Sequence, residues 1–237
     1  INAFRRLRFT EPKVSSRSDA IQVIQQGLRS AVKRHLVADA PIGLFLSGGI
    51  DSSLLTLLAA EEVKEQLHTL SVTFSEEKYS EKEYQQAVID KVKCNHRFYN
   101  VTGTDLQENL DTILRAYDQP SNDAINSWFI SKCAKENGLK AVLSGLGSDE
   151  IFGGYPSFQR LPNLMRLKSF PATVFSLASL LPNNKLQRLE WLKLRGTTGL
   201  YLAIRGFFTP FVISSILGMD RKEVLKRIGE LNFQPEE

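Results

Sequence analysis

Two short stretches of this 237-residue sequence carry residue types that suit binding an anion and a metal together. The first, SGGIDSS at 47–53, follows the apolar run IGLFL and leads into SSLLTLLAAEE. Paired glycines at 48 and 49 permit positive φ and let the backbone approach an anion closely. Ser47, Ser52 and Ser53 add hydroxyls, and a helix starting here presents unbonded N–H groups and the positive end of its dipole. That donor set suits phosphate. Asp51 repels a bare phosphate unless a divalent cation lies between them, and magnesium supplies such a bridge. The second stretch, SGLGSDEIFGGY at 144–155, again offers close backbone approach at Gly145 and Gly147, and it brings two carboxylates, Asp149 and Glu150. Each turn read alone also fits a plain strand-to-helix connection whose acids cap a helix. Together they suit a clamp on one metal-nucleotide complex. Neither is a Walker A loop, which needs GxxxxGK[ST], nor a GxGxxG dinucleotide fingerprint.

These turns need strands before them and helices after them. SRSDAIQVIQQGLRSAVKRHL, 16–36, sets Ile21, Ile24, Leu28 and Val32 on one helical face, with Ser16 or Ser18 as N-cap. IGLFL at 42–46 is a uniformly apolar run of the kind found in a strand covered on both faces. A helix follows, then strands at HTLSVTF, HRFYNV and KAVLS. Between them lie helices opening on capping boxes at Ser80 with Glu83 and Thr104 with Gln107, and another near 124–137. Parallel strands need crossover connections, so alternation of this kind predicts an α/β fold with a doubly wound parallel sheet. Ligands of such sheets sit at the carboxyl ends of the strands, where both glycine turns fall. The expected divisions are an extension or linker over 1–19, an α/β domain over 20–155, and a mostly helical part over 156–237 punctuated by Pro156, Pro162, Pro171 and Pro182.

Composition removes other classes. A net charge of +4 with thinly spread basic residues and no aromatic platform disfavours nucleic acid as partner. No apolar run approaches membrane-spanning length, and the N-terminus lacks a signal-like segment, so a cytoplasmic setting is expected. Cys94 and Cys133 match no metal or redox spacing. His35, His68 and His96 lie at element ends and read as surface or capping residues. Tyr117, Trp128 and Phe129 read as packing.

SGGIDSS resembles the pyrophosphate loop of the N-type ATP pyrophosphatases, the adenine nucleotide alpha-hydrolase kind of fold shared by GMP, NAD and argininosuccinate synthetases and tRNA-thiolating enzymes. The longer stretch 117–158, ending SGLGSDEIFGGYPSF, is similar to the synthetase domain of glutamine-dependent asparagine synthetases and their amide-forming relatives. The resemblance implies that magnesium-ATP adenylates a carboxylate, pyrophosphate leaves, and ammonia or another amine attacks the acyl-adenylate. It assigns Ser47, Gly48, Gly49, Asp51 and Ser52 to the pyrophosphate loop, and Asp51 and Asp149 to magnesium. Main chain near Phe45 and Val72 holds adenine, Ser144 and Gly145 flank the nucleotide, and Glu150 stands near the acceptor. The partners it implies are a carboxylate acceptor, aspartate or an analogue, ammonia from a glutaminase domain absent from this chain, and a second copy in a homodimer.

The match has departures. The family's second turn reads SGEGSDE, with a glutamate implicated in handling ammonia; here Leu146 stands in its place, and leucine can neither accept a proton nor orient an ammonium. Neither cysteine can be the glutaminase nucleophile, and the sequence stops before the later helical segment with the family's catalytic lysine, so a synthetase-domain fragment is expected. Besides the asparagine-forming reading, two others stay open: an amide ligase acting on a non-aspartate acceptor, and a nucleotide-binding module without turnover.

Overall fold

The computed structural model describes residues 14–63, 67–74, 81–119, 121, 124–194 and 196–231. The chain divides into two compact units, the first ending at Leu146 and the second beginning at Gly147.

The first unit is built on four strands, β1 (Ile42–Phe45), β2 (His68–Phe74), β3 (Asn95–Val101) and β4 (Ala141–Leu143), all parallel and in the order β3-β2-β1-β4. Helices α1 (Arg17–His35), α2 (Ile50–Glu62), α3 (Lys82–Val92), α4 (Gly103–Arg115) and α5 (Ala124–Glu136) connect and cover them. Both faces of the sheet are buried, as the apolar strand runs require. On one, Leu44 of β1 packs with Val32 of α1 and with Leu58 and Ala59 of α2. On the other, Leu70 of β2 packs with Cys133 and Ala134 of α5, and Val101 of β3 with Ile113 of α4 and Phe129 of α5. The expected doubly wound sheet is therefore present. Tyr117 and Trp128 pack around fully buried Phe129, which accounts for these aromatics as core.

Two sequence expectations change at this level. Ser16 caps α1, accepting from the Asp19 amide at 3.1 Å, but only part of the apolar face of that helix is covered: Val32 is buried whereas Ile21 and Ile24 are exposed. The capping box of α4 is not Thr104 with Gln107. Because β3 runs to Val101 and the helix begins at Gly103, the cap falls on Thr102, whose hydroxyl accepts from the Asp105 amide at 3.2 Å while the Asp105 carboxylate accepts from the Thr102 amide at 2.8 Å. Ser80, expected to open the preceding box, lies outside the described residues.

His96, expected at the surface or as a cap, instead lies within β3 with one ring nitrogen buried. Its Nδ1 lies 2.8 Å from the Thr69 hydroxyl, its Nε2 is buried without a hydrogen-bond partner among the described residues, and its ring meets Phe98 edge-on. Burial pushes the imidazole down to about 4. The folded protein thus binds fewer protons at this group than the unfolded chain. Stability should be fully present above about pH 6.5 and fall as the pH drops toward about 4. Equilibrium urea denaturation across that window checks this, and His96→Gln should flatten the dependence there.

The second unit is helical throughout its described elements. It comprises α6 (Ser148–Phe152), α7 (Pro156–Leu167), α8 (Ala172–Ala178), α9 (Asn184–Gln187), a 3-10 turn (Arg188–Lys193), α10 (Gly196–Arg205), α11 (Pro210–Leu217) and α12 (Arg221–Glu230). Trp191 is its centre, 1% exposed and packed with Leu194 and Val224, its indole N–H donating to the Phe208 carbonyl at 3.2 Å. Buried Glu190 is paired with Lys193 at 2.9 Å and Arg221 at 3.7 Å, so its charge is compensated. Among the described residues no single helix is long and apolar enough to cross a membrane.

Candidate functional site

From β1 the chain passes outward to β2 and β3, then returns to the other side of β1 as β4. The reversal creates a switch point between the carboxyl ends of β1 and β4, the place where open α/β sheets bind ligands. Phe45 ends β1, and the turn 47–49 carries the chain into α2.

The two glycines of this turn do different things. Gly48 adopts φ 92, and a Cβ there would come within 3.0 Å of the Glu81 carbonyl oxygen and 3.1 Å of the Glu81 Cβ. Gly49, expected to share the positive φ, is instead the extended N-cap of α2 at φ −69 and ψ 163. A Cβ on Gly49 would meet only the Ser47 hydroxyl, at 3.4 Å. Its missing side chain leaves the start of α2 open: no side chain caps the helix, so its first N–H groups and its positive dipole end are available to an anion.

The serines hold the turn together. The Ser52 hydroxyl is buried, accepts from the Ser47 amide at 3.2 Å, lies 2.9 Å from the Ser47 hydroxyl, and donates to the Gly49 carbonyl at 3.2 Å. That geometry makes Ser52 a brace of the loop more than a ligand donor. Asp51 lies in the first turn of α2, partly buried. The second turn meets the first at Gly145: a Cβ there would sit 3.0 Å from the Asp51 Cβ and 3.1 Å from the Ser52 amide nitrogen. Gly145 is thus required for close approach of the β4 end to the α2 start, and Ser144 beside it is exposed, its hydroxyl accepting from the Leu146 amide at 3.2 Å.

Val72 follows from strand parity. The Leu70 carbonyl accepts from the Leu46 amide at 2.8 Å, where the paired register of β1 stops. Two residues further along β2, Val72 presents its N–H and C=O on the same side, past the end of β1. A flat heteroatom-bearing ring could use that edge. Phe45 itself is partly buried against Leu70 and Ala134, so its side chain belongs to the core.

The remaining predicted residues fall in the second unit. In α6 the Asp149 side chain lies over Gly154, where a Cβ would be 1.9 Å from Oδ1. Glu150 diverges from it: its Oε1 accepts a hydrogen bond from the Tyr155 hydroxyl at 2.7 Å. The Tyr155 ring stacks on Phe158 and carries the Arg205 guanidinium 4.5 Å from its centroid. These groups border a cavity of about 590 Å³, otherwise lined by Leu161, Met165, Leu200 and Ile204. The Tyr155 hydrogen bond, with help from the Arg205 charge, holds the Glu150 carboxyl below its usual range. Tyr155→Phe should therefore raise the Glu150 titration midpoint. Carboxyl-carbon NMR titration reads this directly.

Among the described residues no group of three or more His, Cys, Asp or Glu side chains is gathered to hold a metal ion alone. Magnesium takes carboxylate oxygens such as those of Asp51 and ordinarily completes its shell with phosphate oxygens and water, so an acid beside the open start of α2 fits a magnesium-phosphate complex. A residue that sequence reasoning missed is Gln85 of α3, 3% exposed, whose Nε2 donates to the Ser47 carbonyl at 3.0 Å.

The family model described as asparagine synthase matches residues 23–208. A protein of Methanocaldococcus jannaschii, provisionally named glutamine-hydrolysing asparagine synthetase 2, is 33% identical over 195 residues, covering 80% of this chain and 36% of that protein. Asparagine synthetase B of Escherichia coli, also glutamine-hydrolysing, is 34% identical over 164 residues, covering 61% of this chain and 29% of that protein. The chain thus spans about a third of the length of these relatives. An NH3-dependent NAD synthetase from Campylobacter jejuni aligns over 91% of this chain and 97% of its own with a TM-score of 0.40 and 15% identity.

Proposed function

This chain belongs to the asparagine synthase family, and from that premise we propose that it is the ATP-using part of an amide-forming ligase. In the proposed reaction a carboxylate oxygen attacks the α-phosphorus of ATP, the bond to the bridging oxygen breaks, and pyrophosphate leaves with that electron pair. Ammonia or another amine then attacks the acyl carbon, and AMP departs. The matched relatives are named for hydrolysing glutamine, which supports ammonia as the amine.

One observation carries this reading: a 13-residue helix starts uncapped at the switch point, behind a left-handed Gly48 and a Gly49 that leaves the helix end open. Such an arrangement stabilises charge on a departing pyrophosphate without reorganising, because its N–H groups already face the place where charge develops. Ser47 and Ser52 keep the loop in shape, Ser144 and Gly145 border it, and the main chain at Val72 and beside Phe45 offers adenine a hydrogen-bonding edge. On the resemblance of the two turns, Asp51 and Asp149 would hold magnesium. Bound there, the ion neutralises phosphate charge that these carboxylates alone would repel. Glu150 is assigned to the acceptor side.

The experiment is exchange of labelled pyrophosphate into ATP, driven in turn by aspartate and by a panel of other carboxylic acids. The reading predicts exchange that requires both magnesium and one of the acids. Tight magnesium-ATP binding with no exchange against any acid would favour the binding-module alternative. Leu146, 85% exposed where the family's second turn has a glutamate that handles ammonia, bears on the amine step, so exchange, which needs only adenylation, should proceed without that carboxylate. Exchange driven by another acid in preference to aspartate would favour an amide ligase on a non-aspartate acceptor.

A further inference from the structure

The geometry points to Gln85 as a positioning residue that aims the Gly48 N–H of the pyrophosphate loop at its anion; this rests on the loop's proposed role. A trans peptide carries its C=O and its following N–H on opposite sides. Gln85 reaches from α3 and donates through Nε2 to the Ser47 carbonyl at 3.0 Å, so that carbonyl is turned toward α3. The N–H of the same peptide, that of Gly48, must then point away from α3, and it has no hydrogen-bond partner among the described residues. Beneath it the Leu46 carbonyl is held in turn by the Ser71 hydroxyl, so successive loop carbonyls are tied back from the ligand side.

The burial of Gln85 is hard to explain otherwise. The side chain is 3% exposed in a helix whose neighbours Glu83, Tyr84 and Gln86 are exposed, and its Oε1 is buried without a hydrogen-bond partner among the described residues. The alternative amide orientation would set oxygen against the Ser47 carbonyl oxygen, so donation through Nε2 is the assignment chemistry allows. A buried, half-satisfied carboxamide costs stability compared with an apolar side chain of similar size. Its Cγ also lies 3.3 Å from where a Gly48 Cβ would be, so with Glu81 it leaves no room for a side chain at position 48.

The test uses the full chain and two probes that divide the nucleotide, magnesium pyrophosphate and adenosine, measured by calorimetry on wild type and Gln85→Met. The variant removes the donor and keeps the bulk. It should melt at or above the wild-type temperature, bind pyrophosphate roughly tenfold more weakly through loss of one aimed N–H contact, and bind adenosine unchanged. Equal pyrophosphate affinity in variant and wild type would overturn the role of Gln85 while leaving the loop assignment standing. Equal loss of both probes would also overturn it, by showing general damage. Wild-type protein that fails to bind pyrophosphate would overturn the loop assignment and the inference together. Should Gln85→Met not fold, Gln85→Glu asks the same question, since its carboxylate repels the Ser47 carbonyl and should weaken pyrophosphate binding relative to wild type with adenosine binding unchanged; unchanged pyrophosphate affinity would again overturn the role of Gln85. Independently of any variant, the Gly48 amide resonance should shift downfield on titration with magnesium pyrophosphate, and an unmoved resonance would contradict the inference.

Discussion

Asp51→Asn should lower carboxylate-dependent pyrophosphate release roughly 100- to 1,000-fold while leaving the fold intact, the loss expected when one charge-stabilising element is removed from a phosphoryl-transfer site. The substitution keeps size and hydrogen-bonding shape and removes only the charge that would hold magnesium. A purely structural role for Asp51 predicts something else. As an acid in the first turn of α2 it would contribute only its interaction with the helix dipole, about 0.3–1 kcal/mol, and activity would survive. Steady-state pyrophosphate release beside thermal unfolding separates the two, and raised magnesium should not rescue the variant fully.

Gly48→Ala should damage both stability and activity. At φ 92 an alanine is strained, and its Cβ would sit 3.0 Å from the Glu81 carbonyl oxygen, a main-chain atom that cannot swing aside. The two effects together should cost about 1–3 kcal/mol, readable as a lowered midpoint in urea denaturation. Activity should fall further than stability alone requires, because the peptide whose N–H is aimed at the anion would relax away from its strained angle. Gly49→Ala makes the contrast. Its backbone is extended and its Cβ would meet only a serine hydroxyl at 3.4 Å, so folding should be little changed and any defect should lie in ligand binding.

The contrast between these neighbours shows what the sequence could tell. Paired glycines between an apolar strand and a helix marked the loop, and alternating strands and helices placed it at a sheet edge. That Gly48, and not Gly49, has no room for a side chain depends on Glu81 and α3 packing over the turn, a contact between residues more than thirty positions apart. Gln85 was hidden for the same reason: in a helix of otherwise exposed polar residues nothing local distinguishes the one turned inward. Ser52 looked like a ligand donor by type, yet its hydroxyl is consumed in bracing the loop. The α4 cap was misplaced by two residues because Thr102 pairs with an aspartate, and only the end of β3 at Val101 fixes where the helix must start. In the second unit, apolar stretches without strand-like alternation read as mostly helical, but the convergence of Tyr155 and Arg205 beside Glu150 needed the packing of α7 against α10.

The central claim is that a carboxylate is activated on the α-phosphorus of ATP. Incubation with a carboxylic acid labelled with oxygen-18 in its carboxyl group, the amine, ATP and magnesium tests it most directly, because one labelled oxygen must leave with AMP when the amide forms. One oxygen-18 atom should appear in the AMP and none in the pyrophosphate. Label appearing in inorganic phosphate alongside ADP, or AMP formed without label, would contradict it.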